Sequence, residues 1–254
     1  MISLVEALGI KDGDVVALVG AGGKTTIMFA TARELAGLGK KVVVTTTTRI
    51  MTPGLLESPS LIVVDNREKA LRLLSRELQV HSIVATGTRI LDDGKLVGIP
   101  PEWVEDIEML KGVSNVLVEA DGSAGKPLKA PREYEPVIPL NSDIVVSVVG
   151  IDALGKELSE KNVHRVDRVS ALTSLKPGER ITTEAMVLVM THPLGNAKGS
   201  PEGARIIQLI NKVDDNKRLS GARDIARLLV KRGVKRVVLT HAAFKPEVVE
   251  VIYG

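Results

Sequence analysis

The stretch "VVALVGAGGKTTIMFATARELA", residues 15–36, constrains this chain more than any other. A nearly continuous apolar run enters a glycine-rich turn and leaves as a helical pattern, which reads as strand, loop and helix. Glycines let a backbone approach a ligand and aim its N–H groups at phosphate oxygens, and the helix N-terminus adds positive potential. Gly20, Ala21, Gly22, Gly23, Lys24, Thr25 and Thr26 are therefore read as a phosphate loop. Lys24 is expected to reach the outer phosphates and the Thr25 hydroxyl to ligate magnesium. The full P-loop formula asks for a glycine where the chain has Leu18. What remains, Gly20-x-x-Gly23-Lys24-Thr25-Thr26, is similar to the loop of the amino-acid-adding ligases of cell-wall synthesis. A tight turn with a solvent-facing lysine is the bland alternative.

Further short Val/Ile/Leu runs alternate with helical patterns along the chain: "KKVVVTTTT", "LIVVD", "NVLVEADG", "DIVVSVVG", "ARIIQLINKVDD" and "VKRVVLTHAA". Runs apolar on both alternations are what burial on both faces of a parallel sheet requires. The expected fold class is α/β, P-loop NTPase-like, with a mostly parallel sheet, helices on both faces and a small hairpin insertion. No linker-like stretch or internal repeat interrupts the 254 residues, so a single domain over 1–254 is expected. Its hairpin or lid insertion is placed at about 81–103, around Asp92-Asp93-Gly94-Lys95, and a polar segment at about 154–178.

Composition removes several chemistries. With no cysteine, the chain has no disulfide, thiolate nucleophile or cysteine-built metal site. A formal charge of +3 with interspersed signs and 2% aromatic residues argues against nucleic-acid binding. No apolar run approaches the roughly 20 residues of a membrane span, and the first residues, "MISLVEALGIKDG", lack a cationic leader. The expectation is a cytoplasmic protein without a membrane partner.

A magnesium site beside a phosphate loop wants a carboxylate at the end of a neighbouring strand, and "VLVEADG" supplies Glu119 and Asp121. One would hold magnesium while the other positions an attacking water, the division of labour that phosphoryl transfer needs. The sequence does not say which does which, and a cap and a turn residue are the alternative reading. Lys24, Glu119 and Asp121 are the catalytic candidates; Thr25, Thr47, Glu119 and Asp121 are the metal candidates. Thr47 enters because "TTTTR", residues 45–49, ends a strand where ligand crevices open in parallel sheets.

"LINKVDD" carries the second signal. Asn211, Lys212 and Asp214 resemble the guanine-reading motif of GTPases, with Asp214 accepting from the base, and Thr240-His241-Ala242 lie where a second base-contacting loop would follow. The alternative is a strand end and a helix cap. The loop "DGSAGKPLKAP" offers Lys126 and Lys129 to a substrate, partner or phosphate; "NVHRVDRV" offers His164, Arg165 and Arg168 to an anion; and "MTHPLGNAKGSPEG" places His192 in a glycine-rich loop. Each also reads as ordinary surface or turn. None of the four histidines stands in metal-ligand spacing.

Taken in order, "GAGGKTT", "TTTTR", "VEADGSAGKPLKAP", "HRVDRV", "THPLGNAKG" and "LINKVD" resemble the YqeC-type family, described as selenium-dependent hydroxylase accessory proteins. The resemblance implies a cytoplasmic accessory NTPase that assists maturation or cofactor loading of selenium-dependent molybdenum hydroxylases. Its cofactors would be Mg2+ with GTP or ATP. Its partner would be a client enzyme or cofactor-maturation protein, with a homodimer left open. The family pattern falls on Gly20, Gly22–Thr26, Thr45–Thr48, Glu119, Asp121, Lys126, Asn211, Lys212 and Asp214. Where the family shows proline and glutamate after His-Arg, this chain has Val166-Asp167. A slow GTPase or ATPase acting as a switch is the leading expectation. An ATP-dependent kinase or ligase activating an acid or cofactor precursor is the alternative, and a decayed, non-hydrolysing fold is a third reading that Lys24, Thr25, Glu119 and Asp121 oppose.

Overall fold

The computed structural model describes residues 2–241 and 246–254. In chain order, α1 (Leu4–Leu8) precedes β1 (Val15–Gly20), α2 (Lys24–Gly37), β2 (Val42–Thr46), β3 (Arg49–Met51), β4 (Ser60–Val63) and α3 (Arg67–Val80). There follow β5 (Ile83–Gly87), β6 (Arg89–Ile90), β7 (Lys95–Val97), α4 (Trp103–Glu108), β8 (Asn115–Glu119) and β9 (Leu128–Lys129). The last part holds β10 (Ile144–Gly150), β11 (Val163–His164), α5 (Val166–Thr173), α6 (Thr183–Thr191), β12 (Arg205–Asn211), α7 (Asn216–Lys231), β13 (Arg236–Thr240) and β14 (Val248–Tyr253).

Nine strands form one sheet in the order β14-β13-β12-β10-β1-β8-β2-β5-β4, all parallel except β14, which runs antiparallel along β13. Every residue of β1, β2, β8 and β10 is buried, as strands covered on both faces must be. Alternation divides them between two cores. Val16 and Leu18 pack with Leu4, Leu8, Ile27 and Phe29 of α1 and α2. Val15, Val43 and Val116 pack with Leu74 of α3 and Val104 and Ile107 of α4. Ile210, Val237 and Leu239 meet α5, α6 and α7. The α/β class with a mostly parallel sheet and helices on both faces thus stands.

The run Ile83–Gly87 joins the large sheet beside β2, because its all-buried side chains demand cover on both faces. The hairpin itself is confined to β6 and β7, to which β3 adds a third antiparallel strand. The polar segment 154–178 holds β11 and α5, and Leu158, Val163 and Val169 bury there against α6 and α7. No helix among the described residues is long and apolar enough to cross a membrane.

Candidate functional site

β1 is central, and its C-terminal end opens into the glycine turn before α2. Gly22 has φ 90°, and a Cβ there would stand 2.2 Å from the Gly150 amide nitrogen; Gly23 has φ 123° and would collide with the Asn211 side chain at 2.4 Å. Only glycine fits both places. Three loop amides already have partners within the chain: Gly20 N–H donates to Asp121 Oδ2 at 3.0 Å, Ala21 N–H to Val148 O at 2.8 Å and Gly22 N–H to Lys126 O at 3.0 Å. The N-cap of α2 is Gly23, which has no side chain to satisfy the first helical amides. Those amides, with the helix dipole behind them, are the groups an anion would meet.

Lys24 does not face solvent: it is 2% exposed. Its ammonium donates to the Gly20 carbonyl at 2.7 Å and stands 3.1 Å from Asp121 Oδ1 and 3.5 Å from Glu119 Oε1. Glu119 ends β8, the neighbour of β1, and accepts from the Thr25 hydroxyl at 2.6 Å. The sequence-derived set Lys24, Thr25, Glu119 and Asp121 is thereby gathered at one strand end. Thr26 is exposed on the first turn of α2.

The cluster continues inward. Lys129 is fully buried, 2.9 Å from Asp121 Oδ2 and 3.0 Å from Glu135 Oε2, and donates to Gly122 O at 2.7 Å. Arg165 closes the chain with a two-pronged contact on Glu135. Three carboxylates (Glu119, Asp121, Glu135) and three cations (Lys24, Lys129, Arg165) make the group neutral, which is what burial of so many charges requires. Burial by itself would lower Lys24, but Asp121 and Glu119 together outweigh it and hold the ammonium above its ordinary value. Burial pushes Glu119 up, further than Lys24 and Thr25 pull it down; Asp121, with the nearer ammonium contact, adds its repulsion. Burial also acts upward on Glu135, but Arg165 and Lys129 bring it down to about 2.

The hydroxyls of Thr45, Thr46, Thr47 and Thr48 all have partners within the chain. Thr45 donates to Thr86 O, Thr46 to Glu119 O and Thr47 to Val137 O at 2.6 Å, while Thr48 pairs with Thr46. Lys126 reaches the Lys161 carbonyl at 2.9 Å, and Arg168 the Glu133 carboxylate at 3.2 Å.

The 211–214 segment divides between two environments. Asn211 is buried, donates to Gly22 O at 2.9 Å and accepts from the Thr240 hydroxyl at 2.9 Å, tying β12 and β13 to the phosphate loop. Lys212, with φ 67°, pairs with Asp152 at 3.1 Å. Asp214 lies at the surface with Arg218 at 2.5 Å and His241 at 3.5 Å, and Asp215 supplies the N-cap of α7. Ala242 falls outside the described residues.

Sequence reasoning missed Glu135 and Asn196. Glu135 sits in "PREYEP", where nothing marks one acid from the next. Asn196 is fully buried beside the phosphate loop: a Cβ on Gly20 would stand 2.7 Å from its Nδ2. Its place in "THPLGNAKG" was the available signal. His192, in the same stretch, uses Nδ1 to accept the Leu194 amide at 3.0 Å.

Among the described residues no group of three or more histidine, aspartate or glutamate side chains is placed to hold a metal ion by itself. Thr25 and Glu119 make a two-donor start of the kind magnesium uses when phosphate oxygens and water complete its shell.

Residues 16–167 match the family described as "YqeC protein". The chain is 36% identical over 211 residues to the protein YqeC of Escherichia coli (strain K12), covering 83% of this chain and 80% of that one. A solved structure, the 54 kDa signal recognition particle protein of Aeropyrum pernix K1 in complex with GDP, aligns with a TM-score of 0.42 at 18% identity. That alignment takes in 96% of this chain and 48% of the other, so the chain spans about half its length, and the likeness carries no argument.

Proposed function

The chain belongs to the YqeC family, and we propose that it binds a nucleoside triphosphate with magnesium on residues 20–26 and hydrolyses it slowly as an accessory protein. The observation that carries this reading is the uncapped N-terminus of α2 beside Lys24, Thr25 and Glu119 at the end of β1 and β8. Anion-binding amides, a cation and a hydroxyl–carboxylate pair converge there.

In this reading Thr25 and Glu119 face magnesium, which when bound would neutralise charge on the phosphates. Lys24 would exchange its carboxylate contacts for phosphate oxygens. Asp121, fixed by the Gly20 amide, Lys24 and Lys129, holds the loop and Lys24 in place. Among the described residues the side chains paired with Glu119 and Asp121 are Lys24, Thr25 and Lys129; the absence of arginine and histidine from that set supports slow turnover. The resemblance of Asn211, Lys212 and Asp214, at and after the end of β12, to a guanine-reading motif supports GTP. The client is a selenium-dependent molybdenum hydroxylase or a protein that matures its cofactor, and the site of action is the cytoplasm. The shortened loop favours the second reading, an ATP-dependent kinase or ligase.

Calorimetric titration with GTP and ATP in magnesium separates them, using the native chain, Asp214→Asn and Lys24→Ala. GTP is expected to bind at least tenfold more tightly than ATP, and Asp214→Asn to erase that preference. Lys24→Ala is expected to weaken triphosphate binding at least tenfold, about 1.4 kcal/mol. An ATP preference untouched by Asp214→Asn would replace the GTPase reading with the kinase or ligase. Unchanged affinity in Lys24→Ala would remove the loop assignment altogether.

A further inference from the structure

The opposite end of the sheet holds a cavity of about 700 Å³ between the C-terminal residues of α6 and the turn from α7 into β13. Its volume is within the range of about 300–1,000 Å³ that small-molecule sites occupy. Met190, Ile206 and Tyr253 contribute apolar wall, and Ile206 and Tyr253 are 41% and 64% exposed. Arg205, Arg232, Lys235 and Arg236 also line it, with no acidic residue among the lining side chains.

These cations differ. Arg205 is bound to Asp14 at 2.6 Å, and Arg236 lies over the Tyr253 ring and donates to the Ala7 carbonyl. Arg232 and Lys235 have no side-chain hydrogen bond or ion pair among the described residues. The wall also carries a buried polar group that the fold leaves half satisfied. Gln208, 3% exposed, donates its amide nitrogen to the Met190 carbonyl at 3.2 Å. A carbonyl can only accept, so the amide cannot turn over, and Gln208 Oε1 is left without a donor. Leaving a buried acceptor unpaired is costly, and a ligand N–H or O–H would relieve it. Ser147 lies opposite Gln208 in the sheet, and its hydroxyl is also buried without a partner.

We propose that this cavity is a second ligand site, separate from the phosphate loop, for an organic anion with an apolar body and a hydrogen-bond donor. The body packs on Ile206 and Tyr253, the donor meets Gln208 Oε1, and the anionic group meets Arg232 and Lys235. The inference does not depend on the nucleotide reading: the lining comes from α6 and the segment 192–204 after it, β12, the turn from α7 into β13, Arg236 of β13 and Tyr253 of β14, and includes no residue of the loop 20–26.

Anilinonaphthalene sulfonate has all three features and serves as the probe. Fluorescence titration of the full chain is expected to saturate at one probe per chain, with the neutral parent amine lacking sulfonate binding at least fivefold more weakly. Ile206→Glu, which puts a carboxylate on an already exposed wall position, is expected to weaken the probe at least tenfold. The double variant Arg232→Glu with Lys235→Glu is expected to weaken it at least fivefold. Circular dichroism and the thermal midpoint report that each variant is folded. Non-saturating or multiple binding in the native chain would overturn the proposal. So would equal binding of the neutral amine, or unchanged affinity in a folded Ile206→Glu or charge-reversed variant.

Discussion

The phosphate-loop end of the candidate site and the 211–214 end are built on opposite terms. At the loop, Lys24, Glu119, Asp121, Lys129, Glu135 and Arg165 are locked together out of water with their charges cancelled. At the other end Asn211 and Val213 are buried, while Asp214 sits at the surface against Arg218 and His241. A motif read as a unit in sequence thus divides between two environments: its asparagine braces the loop at Gly22, and its aspartate pairs with Arg218 and His241 at the surface. The difference also says where substitution should hurt the fold and where it should affect only ligand choice.

Lys129→Met should give the largest effect. It leaves Asp121 and Glu135 buried without their shared cation, and losing one partner of a buried ion pair costs about 3–5 kcal/mol. Denaturant titration reads this directly, and a loss below about 1 kcal/mol would mean that the loop end is not the self-compensated unit described. Asn211→Ala comes next: removing the Gly22 and Thr240 contacts should cost about 1–3 kcal/mol and also weaken triphosphate binding. A stability loss with unchanged nucleotide affinity would separate Asn211 from the loop.

The acid limb sharpens the contrast. Glu135 has a folded value of about 2 against 4.5 for the free side chain. Its contribution is therefore complete above pH 5 and is lost as pH falls toward 2. Native protein and Glu135→Gln should differ most near neutrality and converge across that window; a constant gap would argue against the carboxylate's charge as the cause. Asp214→Asn should be the mildest, within about 0.5 kcal/mol, since Asp214 is exposed and meets Arg218 and His241 at the surface. A larger loss would move Asp214 from recognition to structure.

Much of this was legible locally. Strand, glycine turn and helix follow one another within residues 15–37, and positive φ at Gly22 and Gly23 explains why those places need glycine. The buried strands were legible because a parallel sheet covered on both faces leaves apolar runs. In the sequence Lys129 reads as a loop cation, open to a ligand or to solvent, and in the fold it is fully buried between two acids. Glu135 and Arg165 meet across 30 residues, and no spacing rule reports such a pair. Thr47 entered as a metal candidate from its strand-end position, and its hydroxyl is found on the Val137 carbonyl.

The sequence by itself determined the α/β class, the glycine turn that carries Lys24 and Thr25, and the strand end that carries Glu119 and Asp121, because apolar periodicity, glycine chemistry and strand-end position are properties of short segments. Tertiary structure alone decided that β10 and β8 flank β1, that Lys129 and Arg165 neutralise the inner acids, and that Asn211 braces Gly22. It also decided that Gln208 keeps an unpaired oxygen in a cationic cavity at the far end of the sheet. Those features depend on which distant strands become neighbours and on where water is excluded, and both arise only when the whole sheet is assembled.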